Sequence, residues 1–285
     1  MSDSGGTGPE ESRHRQEPGT NIPTVPCPGG PLRQQLPDGP AVWCTNGPAA
    51  VAMWREMLPP GAYDRAARGL RDGGTVVDVG ANIGLLSVLC ARTRRRVRVI
   101  AAEPAPALHA CLVRNLAEHA APGWAAECVA AADRPGRLRF TYYPEAPGNS
   151  GLHADRAADD EISLIFLRNS RVAPEDAAEL LEGLHEGVEC TVPALTVSDL
   201  LRRHAVSRVD LLKVDVERAE LDVLRGIEDL HWPLIHTVVV EVHDEAGRLT
   251  AVQNLLHRHG FTLEVHQDPL LAGTGLYELE AVREC

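Results

Sequence analysis

The stretch TVVDVGANIGLLSVLCARTRR, residues 75–95, constrains the fold more than any other part of the chain. A β-branched run of strand length breaks at Gly80, passes Gly84 and continues with apolar residues at helical spacing. A strand that turns through glycine straight into a helix has to cross back over a sheet. The pattern then repeats. RVRVIAAE (96–103) reads as a second strand and PALHACLVRNLAEH (106–119) as a second amphipathic helix with proline at its start. WAAECVAAA, RLRFTYY, VDLLKVDV before the helix ERAELDVLRGI, and HTVVVEV before AGRLTAVQNLLHRHG extend the series. FTLEVHQ and GLYELEAVRE close it, and their short connection suits antiparallel pairing. The expected fold is α/β: a mostly parallel sheet closed by a C-terminal antiparallel hairpin.

The repeats occupy residues 73–285, the expected main domain. Before it, 1–25 is Gly, Ser, Pro and charge with little to bury, which predicts a disordered tail, and 26–72 reads as a cap of short helices and turns. Between the third and fourth units lies an insertion of about 145–195, with PGNSGLH, the apolar run ISLIFLR and a helix over PEDAAELLEGLHEG. Its apolar content predicts a folded lid. TVSD (196–199) matches a capping box, with Thr196 as cap and Asp199 three residues on.

Composition excludes several partners. A net charge of −12 repels a phosphate backbone, so no nucleic acid is expected. No apolar run approaches membrane-spanning length and the N-terminus has no signal-peptide core, so no membrane is expected either. Seven scattered cysteines without a C-x-x-C pair fit a reducing cytoplasm rather than a disulfide framework or a zinc site. The oligomeric state is left open, a homodimer included.

Gly80 and Gly84 stand where backbone amides at a helix start can approach a ligand. Glu103 ends the second strand, where its carboxylate can take ribose hydroxyls. The same residues also serve a tight turn and a strand cap. The dinucleotide fingerprint needs a second glycine where Asn82 stands, so a nicotinamide cofactor is the weaker alternative.

DVGANIG resembles the cofactor loop of class I S-adenosylmethionine (SAM) methyltransferases. That resemblance implies a Rossmann-like seven-stranded sheet with helices on both faces, and SAM held by Asp78, Gly80, Asn82, Gly84 and Glu103. It also places Ala132 and Asp133 at the adenine. DLLKVDVERAELDVLRGI, with AAEP, GNSGL and VVVEVHD, is similar to the signature of the FkbM family, whose usual form has glycine where this chain has Arg218. Membership implies methyl transfer to a hydroxyl oxygen of a small molecule, such as a polyketide or glycoside. A noncatalytic SAM-binding protein remains a second reading.

Methyl transfer to oxygen needs alignment and a base. Asp215, near the end of the fourth strand, is the leading candidate, and Glu217 shares its face if the strand continues. Lys213 is the only lysine in the chain, against 27 arginines, and a compact ammonium beside Asp215 and Glu217 would set their ionisation. A buried structural ion pair is the competing account of this lysine. His243 is the second base candidate, and Glu220 reads as first-turn helix charge. Asp215, Glu217 and Glu241 have the composition of a divalent-ion site, yet no metal is expected.

Overall fold

The computed structural model describes residues 30–59, 61–93 and 96–283, so the expected tail lies outside the described residues. Strands β1 (Leu32–Gln35) and β2 (Ala41–Cys44) form a hairpin, followed by α1 (Gly47–Glu56) and α2 (Ala62–Gly69). Then come β3 (Thr75–Val79), α3 (Leu85–Arg92), β4 (Arg98–Ala102), α4 (Pro106–His119), β5 (Ala125–Glu127), β6 (Ala130–Ala131) and β7 (Gly136–Tyr142). The inserted segment holds α5 (Arg156–Asn169) and α6 (Pro174–Leu181) and returns through β8 (Val188–Leu195). The chain continues with α7 (Val197–Arg203), β9 (Leu211–Val214), α8 (Glu220–Arg225), β10 (Thr237–His243), α9 (Arg248–Arg258), β11 (Phe261–His266) and β12 (Leu276–Arg283).

Seven strands make the central sheet in the order β11-β12-β10-β9-β3-β4-β5. The hairpin β11–β12 runs antiparallel at one edge and the other strands run parallel, as the α/β reading expects. Strand side chains alternate between faces, and here the alternation sorts the helices. Val76, Val99, Ala101, Leu211 and Val239 pack with Ala67 of α2, Leu86 of α3 and Leu112 of α4. Their neighbours Val77, Ile100, Leu212, Val238 and Val240 pack with Leu201 of α7, Leu224 of α8 and Leu256 of α9. Each such buried aliphatic side chain contributes about 1.5–3 kcal/mol. Both faces are covered, which explains the uninterrupted apolar strands.

Two segments differ from the sequence expectation. WAAECVAAA is not one strand: it breaks after Glu127, and β6 joins β8 and β7 in a separate three-stranded sheet. The run TVPAL closes the insertion as part of β8, paired with β7 from Gly136↔Ala194 to Tyr142↔Val188. The helices α5 and α6 therefore rise from a two-stranded base. The capping box is present, with Thr196 Oγ1 accepting from Asp199 N at 3.0 Å and Thr196 N donating to Asp199 at 3.1 Å. No helix among the described residues is long and apolar enough to cross a membrane.

Candidate active site

The face that carries Val76, Val99, Leu211 and Val239 turns polar at the C-terminal strand ends. Two residues on from each of these, or four in β4, stand Asp78, Glu103, Lys213 and Glu241, with Asp215 and His243 one further step along. Past the helical cover, the same parity that fills the core lines a cavity of about 780 Å³.

At one end is the glycine loop. Gly80 N and Ala81 N both donate to Ala102 O at 3.0 Å, which folds the loop over β4. Gly80 has φ +70, and a Cβ there would fall 1.7 Å from the carbonyl oxygen of Asp215. Only glycine lets the two strand ends meet so closely. Asn82 is also left-handed, at φ +50, a region asparagine tolerates. Glu103 is buried, and its two oxygens accept Asn82 N and Ala105 N at 2.8 Å each. Burial pushes its carboxyl up to about 7 against the pull of those amides. Asp78 is buried with neither carboxylate oxygen hydrogen-bonded, and burial raises it too. Glu103 retains lone pairs for hydroxyl donors, and Asp78 has an ion-pair neighbour in Lys213 at 3.6 Å but no hydrogen bond. A ligand bringing vicinal hydroxyls and an ammonium, as SAM does, fits both.

Lys213 joins this end to the next. Its buried Nζ donates to Gly80 O at 2.5 Å and lies 3.2 Å from Asp215 Oδ2 and 3.6 Å from Asp78 Oδ1. Burial opposes its charge, but the two carboxylates outweigh that and raise its pKa. The ammonium therefore sits beside Asp215 and Asp78, not beside Glu217 as expected. Strand pairing sets Asp78 against Lys213, and Val214 against Val240, which brings Asp215 and Glu241 to neighbouring strand ends. Glu241 is paired in turn with Glu278 of β12. One ligand oxygen each from Asp215, Glu217 and Glu241 lies within 4.8 Å of the others. Burial, then the charges of Asp215 and Glu217, hold the Glu241 carboxyl well above its usual range.

Glu217 reaches this cluster by a different route from the extended strand expected of it. Glu217 and Arg218 have φ of +52 and +72, so the chain turns sharply before α8. The turn presents Glu217 Oε2 to His243 Nε2 at 3.1 Å. His243 Nδ1 lies 3.2 Å from Glu220 Oε1. Burial disfavours the imidazolium, yet the carboxylates on both nitrogens push it up to about 11. A carboxylate beside each ring nitrogen favours the charged form of His243, which argues against the base role expected of it. Glu220, read as helix charge, is fully buried and bonded both to His243 and to Arg218 N, at 2.7 Å.

Arg218, standing where the resemblance expects glycine, is thus left-handed, and its side chain pairs with two carboxylates. The buried guanidinium bonds Asp159 of α5 at 2.6 Å and Glu245 at 2.7 Å, while Tyr143 donates to Asp159 at 3.1 Å. These bonds tie the inserted segment to the strand ends. Asp159, Ile162 and Phe166 of α5 and Leu180 of α6 line the cavity wall, as do Tyr63 of α2 and Asn149. The sequence pattern missed all of these. Glu278 alone had a local signal, the alternation in YELEAVR.

Three expected cofactor residues lie off the cavity wall. Gly84, with φ +86, starts α3 and would drive a Cβ to 2.7 Å from Leu112 Cδ1, so it serves helix packing. Ala132 is buried against Gly226, and Asp133 is exposed, 3.8 Å from Arg134. Because the strand breaks early, Ala130 and Ala131 line the cavity in their place. His153 is an exposed neighbour of Asp222 at 3.3 Å.

The methyltransferase FkbM domain matches residues 78–263 of the chain. The chain is 39% identical over 250 residues to the 31-O-demethyl-FK506 methyltransferase FkbM of Streptomyces tacrolimicus, covering 87% of this chain and 96% of that protein. It is 37% identical to Methyltransferase 1 of Beauveria bassiana, across 75% of this chain and 81% of the fungal protein. Among solved structures, methyltransferase FkbM from Methylobacillus flagellatus is 15% identical with a TM-score of 0.44, covering 82% of this chain and 58% of that one.

Proposed function

The chain belongs to the FkbM family of methyltransferases, and we propose that it transfers a methyl group from SAM to a hydroxyl oxygen of a small-molecule natural product, such as a polyketide or a glycoside. The observation that carries this reading is the continuity of the cavity. One space is lined by Asp78, Asn82 and Glu103 at one end and by Asp215, Glu217 and Glu241 at the other. The Streptomyces relative supports the acceptor class, since its name describes a substrate lacking a methyl on oxygen.

SAM, when bound, supplies the electrophilic methyl. Glu103 holds the ribose and Asp78 the amino group, while the loop from Gly80 to Asn82 shapes the space between them. Lys213 fixes the two ends relative to each other, because it bonds the loop carbonyl of Gly80 and faces Asp215 at once. Asp215, at the strand end, receives the proton of the acceptor hydroxyl. The inserted segment serves as a lid whose apolar wall, with Ile162 and Phe166, keeps water from the reacting atoms.

The test is a product assay by mass spectrometry with SAM and a panel of hydroxylated natural products, beside calorimetric titration with S-adenosylhomocysteine (SAH). Wild type should bind SAH and methylate at least one acceptor. Lys213→Arg and Asp215→Asn should fold and bind SAH, but lose about a hundredfold or more in turnover. Failure to bind SAH removes the reading. Binding without transfer to any acceptor would favour the noncatalytic SAM-binding alternative.

A further inference from the structure

The stretch PGNSGL, residues 147–152, runs across the cavity from one end to the other. Pro147 O accepts from Asn82 Nδ2 of the glycine loop at 3.3 Å. Four residues on, a Cβ at Gly151 would fall 2.7 Å from Glu217 Cβ, so the backbone there lies against the carboxylate end. Asn149 stands midway between the two and lines the cavity wall.

The Asn149 side chain is held from behind. Its Nδ2 lies 3.3 Å from His185 Nε2, and His185 Nδ1 lies 2.7 Å from Asp160 Oδ1 on α5, next to the Asp159 that holds Arg218. The His185 side chain is wholly buried, and the Tyr143 ring meets it edge-on at 5.2 Å. An ionised carboxylate only accepts, so Nδ1 carries the ring proton. Nε2 then offers a lone pair, and only the NH₂ end of Asn149 can bond it. That fixes which way the amide faces. Asn149 Oδ1 has no hydrogen-bond partner among the described residues, and His185 is absent from the cavity wall that Asn149 lines.

We propose that Asn149 is a specificity-determining residue whose Oδ1 accepts a hydrogen bond from the methyl acceptor, and that His185 and Asp160 are positioning residues that hold the amide in that orientation. This deepens the methyltransferase reading and rests on it. Asp215 takes the proton of the reacting hydroxyl, so Asn149 engages a second donor, an O–H or N–H elsewhere on the acceptor. The cavity therefore selects molecules with at least two donors over those with one. A flipped amide would turn its NH₂ group to the cavity and set donor against donor, which the contacts behind Asn149 prevent.

Long-range proton–nitrogen NMR of the full chain at pH 8 reads the His185 tautomer, with His185→Gln identifying its signals. Protonated Nδ1 and bare Nε2 are expected, and the reverse tautomer or a doubly protonated ring overturns the proposal. Steady-state assays then pair SAM with a panel of alcohols carrying one hydroxyl or several. Asn149→Ala and His185→Phe should raise KM for the several-hydroxyl acceptors by about tenfold or more, with KM for SAM and SAH affinity unchanged. One-hydroxyl alcohols should serve wild type and variants equally poorly. His185→Gln, whose amide oxygen can accept at the place of Nε2, should recover most of the acceptor affinity. Thermal melts report folding, and if His185→Phe fails to fold, Asn149→Ala and His185→Gln carry the test. No loss in Asn149→Ala, or an equal loss on one-hydroxyl and several-hydroxyl alcohols, overturns the contact and leaves the methyl-transfer reading standing. If SAH binds but no panel alcohol is methylated, the two fall together.

Discussion

The two ends of the cavity are built by opposite means. The glycine-loop end is made of backbone: Gly80, Ala81 and Asn82 hang from Ala102 and Glu103 through main-chain donors, all within one strand-turn-helix-strand unit. The carboxylate end is made of side chains from the end of β9, the turn before α8, β10, β12 and α2, with α5 closing the wall. Backbone construction tolerates little change in residue size and gives one conformation. Side-chain construction lets strain and like charge accumulate, because Lys213, Glu217 and Arg218 are each held by partners from elsewhere in the chain.

The sharpest way to break the comparison is at the point where the two ends touch. Gly80→Ala puts a methyl against the carbonyl of Asp215 and forces a left-handed φ on alanine. We expect a loss of about 4 kcal/mol or more, or no folded protein, in urea denaturation. A stable Gly80→Ala variant would mean that the loop and β9 separate easily.

Arg218→Gly tests the carboxylate end alone. Glycine relieves a left-handed residue, worth about 1 kcal/mol. It also strands the buried Asp159 carboxylate, and breaking such a pair costs about 3–5 kcal/mol. A net destabilisation of roughly 2–4 kcal/mol should follow in denaturant melts, with SAH affinity near that of wild type. A gain in stability would show the arginine to be a tolerated departure rather than a clamp on the inserted segment.

Glu103→Gln tests the glycine-loop end alone. Losing a charged acceptor should weaken SAH binding by about 1.5–3 kcal/mol at pH 8, read by calorimetry. The wild-type pH profile has a definite sign. The ligand hydroxyls need the carboxylate, whose pKa is about 7 before binding, so affinity should fall as the pH drops below about 7 and level off above it. The Gln variant should lack that fall. A flat wild-type profile would remove Glu103 from the ribose site.

The smallest effect is expected from Asn82→Gly. It removes left-handed strain but also two hydrogen bonds, the one Asn82 Oδ1 accepts from Ile83 N at 2.8 Å and the one Asn82 Nδ2 donates to Pro147 O at 3.3 Å. These nearly offset, so thermal stability should change by less than about 1 kcal/mol. A large loss would make the Pro147 contact a principal tie between loop and insertion.

Legibility followed the same division. The succession of strands and helices, the closing hairpin, the capping box and the loop DVGANIG were readable because periodicity, caps and glycine act over a few residues. Ala132 and Asp133 lie off the cavity wall for a long-range reason. The break after Glu127 depends on β8 offering Ala194 and Leu195 as partners to β6, and β8 lies about sixty residues away in sequence.

By itself, the sequence determined a doubly covered parallel sheet, a glycine loop facing Glu103, and a lysine that no arginine replaced. Tertiary structure alone decided what that lysine touches, that Glu217 and Arg218 turn left-handed, that His243 lies between two carboxylates, and that Tyr63 and Asp159 reach the same cavity. The physical reason is range. Hydrophobic period and backbone geometry are properties of neighbours along the chain, whereas charge, burial and pKa belong to whatever the fold sets side by side.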